Sequence, residues 1–267
     1  MKGNNGLRIC CDRIIPEHAY PAHAMAHQAR ISVALHGTGF KKPRELFHDL
    51  DPRKVIPPER MALISVKVWP HLSTLKCRFL GGSKAQQDKA ITMASEWMQY
   101  ANIKISFVKS MDEQVRIAFI PGQGSWSAIG IDCLDANYFP KDQPTMNFGW
   151  LDENTPDDEW RRVVVHEFGH ALGCIHEHQQ PNEKLKWNKA AVYKYFSGPP
   201  NNWDKATIDQ NILQKYSAKG ISATIFDPDS IMLYMFPPEL FTNHQGTNNN
   251  TDLSAKDKAF IAQMYPH

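Results

Sequence analysis

Residues 163–181 read VVVHEFGHALGCIHEHQQP and contain four histidines and two glutamates. His166 and His170 are four residues apart, so on a helix both imidazoles project from one face and can reach the same metal ion. Gly173 predicts a left-handed end for that helix. A continued helix would place His176 roughly 160° around the axis from His166, whereas a break at Gly173 lets the chain return with a third imidazole.

The spacing HExxHxxGxxH therefore predicts three neutral nitrogen ligands, His166, His170 and His176, and an open fourth position. This donor set suits one Zn²⁺ per chain, and zinc acidifies a bound water towards neutral pH. Glu167 follows the first histidine and can reach such a water as a general base. The alternative is a buried helix whose histidines make ordinary hydrogen bonds, and the extended motif argues against it.

A second motif, DPDSIMLYMFP, follows at residues 227–237. Together with HEFGHALGCIH it resembles the zinc signature and methionine turn of the metzincin clan of metalloendopeptidases. Within that clan, the sequence Ser-Ile-Met-Leu-Tyr and Glu177, directly after the third histidine, are most similar to the astacin family. The resemblance covers about residues 60–267, and its specificity lies in these two motifs.

The resemblance implies the same zinc ligands as the spacing, which are His166, His170 and His176. It also implies the same general base, Glu167. It further implies that Met232 forms an apolar floor beneath the metal and that Tyr234 hydrogen-bonds the developing oxyanion. Glu177 would be a supporting group, which in astacins pairs with the mature N-terminus. The chain departs from the family where QQPNEKLKW follows His178, and the disulfide cysteines of the family have no clear counterparts.

These motifs predict a zinc metalloendopeptidase that hydrolyses peptide bonds by Glu167-assisted attack of a zinc-bound water. Two alternatives stay open: a catalytically silent zinc-binding or interaction module, and a non-peptidase zinc hydrolase. Retention of Glu167 and Tyr234 argues against the silent module. The substrate class cannot be deduced from the fold, because one fold serves many chemistries.

The order of the segments predicts an α+β fold. Strand patterns at MALISVKVW, LKCRFL, IKISFV, VRIAFI and TMNFGWL surround one helix, for which Ser83 and Gln86 have capping-box spacing. The resemblance implies a two-lobed architecture, with a twisted mixed sheet and the active-site helix above and an irregular, helical lobe below. The linker-like DPRKVIPPER places a boundary between an N-terminal extension, residues 1–58, and a catalytic domain, residues 59–267.

The N-terminal extension is either a prosegment or a packed arm. Cys10, Cys11 and Asp12 could plug the open position of the zinc, because a thiolate or carboxylate can bind there. The prosegment motifs of the clan are absent, and a packed extension is the plainer interpretation.

A further segment, GSWSAIGID at residues 124–132, has the place in chain order of the edge strand along which metzincins bind substrate in antiparallel orientation. Such β-augmentation needs only backbone donors and acceptors. The alternative is that Trp126 and Ile129 merely cover the core.

Composition sets the remaining expectations. The chain has 267 residues, 42% of them hydrophobic, and a formal net charge of +2. These values give no reason to expect nucleic acid or a membrane as partner. The resemblance implies a peptide or protein substrate, and we expect a monomer. No signal peptide is read, which predicts a cytoplasmic or non-classically exported protein unless a leader is missing. Five cysteines without framework spacing predict that most of them are buried thiols.

Overall fold

The structure is a computed structural model that describes residues 10–13, 63–64, 67–70, 72–199, 201–216, 221–222 and 225–267. Most of the predicted N-terminal extension lies outside these residues, and the boundary at residues 58 and 59 stays a prediction. Within the described ranges, no helix is both long and apolar enough to cross a membrane.

A six-stranded mixed sheet forms the centre of the described chain. The described ranges contain eight strands: β1 Cys11–Arg13, β2 Leu63–Ile64, β3 Thr74–Phe79, β4 Lys104–Phe107, β5 Val115–Ala118, β6 Ser125–Ala128, β7 Met146–Phe148 and β8 Ile221–Ser222. The order in the large sheet is β1-β6-β7-β5-β3-β4. Strand β6 is antiparallel to β7, whereas the other neighbours in this sheet are parallel.

The predicted strands LKCRFL, IKISFV, VRIAFI and TMNFGWL are confirmed as β3, β4, β5 and β7. The prediction for MALISVKVW was wrong in extent, because its described strand is only β2, which pairs with β8 in a separate two-stranded sheet. Lys67 explains the difference: its buried ammonium lies 2.5 Å from Asp132, and a Cβ at Gly130 would overlap its carbonyl oxygen. These contacts take the chain into the interior at a point where a surface strand would continue.

Among the residues that the structure describes, five α-helices accompany the strands: α1 Lys84–Ala94, α2 Asp157–Ala171, α3 Lys189–Phe196, α4 Lys205–Ile208 and α5 Ala255–Met264. The capping box of Ser83 and Gln86 at the start of α1 is confirmed. Helix α1 packs against α2, and α2 packs against β6. Just beyond α1, Trp97 donates its indole N–H to the carbonyl of Val165 in α2 at 2.9 Å. Helix α2 is thereby held between the sheet and the α1 segment.

The fold class is the predicted α+β class, and the described residues after α2 form short helices, the strand β8 and irregular segments. The four cysteines whose side chains are described are free and buried, as predicted: Cys10, Cys77, Cys133 and Cys174.

Candidate metal centre

The end of α2 positions the first two histidines and the turn that follows them. Leu172 is the C-cap and Gly173 has φ 101°, which confirms the predicted left-handed termination. Terminal carbonyls of a helix lack partners within it. Here the indole of Trp69 donates to the carbonyl of Ala171, and the Tyr265 hydroxyl donates to that of Leu172, each at 2.7 Å.

The break at Gly173 brings the three histidines of the motif into one group. Nε2 of His170 lies 3.0 Å from Nε2 of His166 and 3.0 Å from Nε2 of His176. A tetrahedral ion with zinc–nitrogen bonds of about 2.0–2.1 Å separates its nitrogen ligands by about 3.3 Å, close to the spacing found. All three side chains are buried, and together they are positioned to hold a metal ion.

Each imidazole is oriented through its other nitrogen. Nδ1 of His166 lies 2.8 Å from the carbonyl oxygen of Ile231, and Nδ1 of His170 lies 2.8 Å from that of Cys174. Nδ1 of His176 lies 3.2 Å from Oε1 of Gln179. An Nδ1–H that donates to these oxygens leaves the Nε2 lone pair directed at the centre of the group, the tautomer that a metal requires.

The protonation state of the group also fits a metal. Burial and the neighbouring His170 and His176 hold the pKa of His166 well below its usual value. A neutral imidazole needs no proton loss before it binds Zn²⁺. The residues present therefore fit the zinc that the motif predicts.

Glu167 and Cys10 lie on one side of this group. A second cluster consists of one atom from each of three residues: the sulfur of Cys10, a ring nitrogen of His166 and a carboxylate oxygen of Glu167. These three atoms lie within 4.8 Å of one another. All three residues are buried. Burial and the nearby negative charge of the Glu167 carboxylate raise the pKa of the Cys10 thiol well above its usual value. Without a cation, this thiol therefore stays protonated.

The methionine turn lies beneath the histidines and is tied to α5. Met232 is fully buried, and its sulfur would collide with a Cβ on Gly169, the residue before His170. Asp257 in α5 accepts the Ser230 hydroxyl at 2.7 Å and the backbone N–H of Ile231 at 2.8 Å. The carbonyl of Ile231 in turn orients His166, so the turn also positions one of the three histidines.

Tyr234, at the end of the methionine turn, reaches the histidine group. Its hydroxyl lies against Nε2 of His176 and donates to the backbone carbonyl of Cys10. His178 packs against the same tyrosine ring with its own ring 5.1 Å away, while its Nε2 lies 3.1 Å from the carbonyl oxygen of Asn211. The structure thus brings Tyr234 to the histidine group, whereas the Nε2 of His178 faces the segment around Asn211.

Glu177 lies behind the third ligand. Its Oε1 accepts the backbone N–H of Asp227 at 2.7 Å and the side-chain amide of Gln180 at 2.5 Å. Burial, aided by Asp257 and Asp227, raises the pKa of Glu177 to about 8. Its backbone N–H donates to the carbonyl of Met232 at 3.0 Å, so it links the third ligand to the methionine turn.

Sequence analysis missed the supporting roles of Gln179 and Asp257. For Asp257 a local signal was present, since Ser254 and Asp257 have capping-box spacing and form that box at the start of α5. For Gln179 there was none, because its amide donates to the distant carbonyls of Gln210 and Gln214.

The segment expected to bind substrate forms β6. One side of β6 pairs with β7, and the other side pairs in parallel with β1, Cys11–Arg13. Trp126 and Ile129 are buried, so this segment also covers the core. The antiparallel substrate orientation expected from the resemblance stays a prediction.

Comparisons with known proteins identify the same region. Residues 64–265 match the family model Astacin, which describes a family of peptidases. Two solved structures of myroilysin are 42% and 41% identical, with TM-scores of 0.74 and 0.59; they cover 77% and 75% of this chain, and 98% and 86% of their own. A hatching-enzyme zinc protease of the medaka fish Oryzias latipes shares the fold, at 15% identity, TM-score 0.51, and coverage of 75% of this chain and 95% of its own. No curated protein matches.

Proposed function

The chain belongs to the astacin family of peptidases, and from that premise we propose that it is a zinc-dependent metalloendopeptidase acting on peptides or proteins. The observation that carries the proposal is the buried three-histidine group with Glu167 beside its first member. Three neutral imidazoles leave the full charge on a bound zinc ion. That charge favours catalysis as a Lewis acid.

Zinc bound to the three histidines would supply the Lewis acidity that activates a water and polarises a peptide carbonyl. Glu167 accepts the proton of the attacking water and passes it to the nitrogen of the leaving amine. Its position supports this role, because its carboxylate lies within 4.8 Å of the ring nitrogen of His166 while its own side chain is buried.

Tyr234 donates a hydrogen bond to the oxyanion that forms on the substrate carbonyl. Its hydroxyl reaches Nε2 of His176, so it stands at the edge of the histidine group where that charge develops. A donor already held in place needs little reorganisation during the reaction, which is why such groups stabilise transition states effectively. The packing of His178 and Phe236 around the ring restricts its motion.

Met232, Gly173 and Glu177 act through the ligands. Met232 fills the space under α2, Gly173 permits the turn to the third histidine, and Glu177 joins that histidine to the methionine turn. We expect the loss of any of these residues to lower zinc affinity or protein stability rather than to change the rate of the chemical step directly.

The test compares the zinc-loaded wild type with Glu167→Gln on a peptide library analysed by mass spectrometry. Glu153→Gln, at an exposed carboxylate outside the site, is the matched control. We expect Glu167→Gln to lose about 10²–10⁴-fold in turnover while it retains zinc, and Glu153→Gln to match the wild type.

Equal turnover of the wild type and Glu167→Gln would refute the assigned base. Products released only from chain ends would indicate an exopeptidase. Hydrolysis of small esters or amides without any peptide product would favour the non-peptidase zinc hydrolase.

A further inference from the structure

The backbone around Tyr234, the proposed oxyanion donor, is held by one side chain from a later segment of the chain. The hydroxyl of Thr247 donates to the carbonyl of Tyr234 and accepts the backbone N–H of Phe236 at 2.6 Å. The backbone N–H of Thr247 also donates to the carbonyl of Phe236 at 3.0 Å. One threonine therefore fixes the chain on both sides of Met235, directly after the methionine turn.

The Thr247 hydroxyl also joins the oxyanion donor to the ring that packs against it. The ring of Phe236 is fully buried and lies 5.6 Å from the ring of Tyr234, at an angle of 77° between their planes. His178 and Trp187 pack against Phe236 from other directions, with ring centres 5.0 and 4.9 Å away. The two backbone groups that Thr247 binds therefore belong to the oxyanion donor and to the ring that confines it.

The neighbours of this threonine keep it in place. A Cβ on Gly246 would lie 2.6 Å from the carbonyl oxygen of Phe236, so the two segments can approach this closely only because that residue is a glycine. The side-chain amide of Asn250 donates to the carbonyl of Ser230 at 2.8 Å. Residues 246–250 therefore hold the methionine turn near its start and beyond its end.

Thr242 shows the same kind of hydrogen bond away from the site. Its hydroxyl donates to the carbonyl of Lys186, in the segment before α3, at 3.2 Å, and its side chain is exposed. Thr247 differs because both partners of its hydroxyl lie in the segment that carries the oxyanion donor. A partly buried N–H or carbonyl that loses its partner is costly, so this backbone would shift if the hydroxyl were removed.

Resting on the proposed function, we propose that Thr247 is a positioning residue that aims the Tyr234 hydroxyl at the oxyanion. It acts through the backbone of residues 234–236. A donor stabilises a transition state well only if it is already in place, and a small displacement weakens that stabilisation. An interaction made only in the transition state affects kcat rather than KM, so removal of the Thr247 hydroxyl lowers kcat and leaves KM nearly unchanged.

NMR of the zinc-loaded full chain tests the positioning without an activity assay. The rings of the 8 tyrosines are labelled with carbon-13, and the signal that is lost in Tyr234→Phe belongs to Tyr234. Thr247→Val replaces the hydroxyl by a methyl group, Thr247→Ser keeps the hydroxyl, and Thr242→Val is the matched control. We expect the Tyr234 signal to shift or broaden in Thr247→Val and to match the wild type in the other two variants. An unchanged Tyr234 signal in Thr247→Val would overturn the proposal.

Peptide hydrolysis by the same proteins tests the consequence for the reaction. We expect Thr247→Val to lose about tenfold in kcat with KM within about twofold of the wild type, Thr247→Ser to stay within about threefold in kcat, and Thr242→Val to match the wild type. In a Tyr234→Phe background, Thr247→Val should cause no further loss, because no hydroxyl is left to position. An equal loss in both backgrounds, or an equal loss in Thr247→Ser, would overturn the proposal.

Zinc content and thermal unfolding show whether each variant folds. If Thr247→Val does not fold, Gly246→Ala replaces it, because the added Cβ displaces the same backbone and leaves the hydroxyl of Thr247 intact. Gly246→Ala should shift the Tyr234 signal and lower kcat, and a signal and kcat equal to those of the wild type would overturn the proposal. If the Tyr234 signal responds as expected but no protein cleaves peptide, Thr247 positions Tyr234 and the proposed function fails.

Discussion

Gln179 offers a way to separate metal affinity from protein stability at this centre. Its Oε1 lies 3.2 Å from Nδ1 of His176, and its Nε2 donates to the carbonyls of Gln210 and Gln214 at 2.7 and 3.1 Å. One end of the amide therefore orients a ligand, and the other end holds the segment that follows α4. Substitutions that remove one end or both should have different effects.

Gln179→Leu removes both ends at similar side-chain volume. Loss of a group that orients a metal ligand lowers affinity about 10–100-fold, equivalent to about 1.4–2.7 kcal/mol. The two lost hydrogen bonds to carbonyls each contribute about 1 kcal/mol, so the free energy of unfolding should fall by about 2 kcal/mol. Gln179→Glu keeps the acceptor for His176 but faces the two carbonyls with oxygen. It should lose at least as much stability as Gln179→Leu yet bind zinc nearly as tightly as the wild type.

Competition with a chromophoric chelator measures zinc affinity, and denaturant unfolding of the zinc-free proteins measures stability. Gln86→Leu is the control, because it breaks a side-chain bond to the Leu151 carbonyl far from the histidines. It should lower stability and leave zinc affinity unchanged. Zinc binding by Gln179→Leu within about twofold of the wild type, or equal losses of affinity in both Gln179 variants, would refute the orienting role.

Two further substitutions test the support of the site. Gly169→Ala should destabilise the protein by up to about 2 kcal/mol, because overpacking against Met232 costs about 1–3 kcal/mol and alanine stabilises the helix by about 1 kcal/mol. The control is Gly198→Ala, whose Cβ meets nothing closer than 3.7 Å and which should be near neutral. A gain in the thermal stability of Gly169→Ala would contradict the prediction. Burial raises the pKa of Asp257 to about 6, so the folded state binds the proton of this carboxyl more tightly than the unfolded state does. As the pH rises from about 4 to 6, the contribution of Asp257 to the free energy of unfolding therefore falls, by up to about 3 kcal/mol. Denaturant unfolding of wild type and Asp257→Asn across that range should show this fall in their difference, and a constant difference would contradict it.

The parts of the centre that could be predicted from sequence are local along the chain. His166 and His170 share a face through their spacing of four, and Gly173 ends the helix because it adopts positive φ without steric cost. Ser83 and Gln86 form their capping box for an equally local reason. In each case, the interacting groups lie within a few residues of one another.

The parts that could not be predicted depend on partners that are distant in sequence. Gln179 orients His176 only because its amide is held by carbonyls about thirty residues further on. MALISVKVW alternates like a strand, yet Lys67 within it is buried against Asp132. Strand β1 has three residues, too few to show a period.

The covered edge of β6 also bears on how the protein behaves at high concentration. An open strand edge presents unsatisfied N–H and C=O groups that can pair with another chain and start aggregation. While β1 lies against β6, this template is hidden. A molecule without β1 on this edge would be more prone to associate with other copies unless a peptide took its place. The same three residues would then serve colloidal stability, and the form best suited to storage would be the one that keeps them.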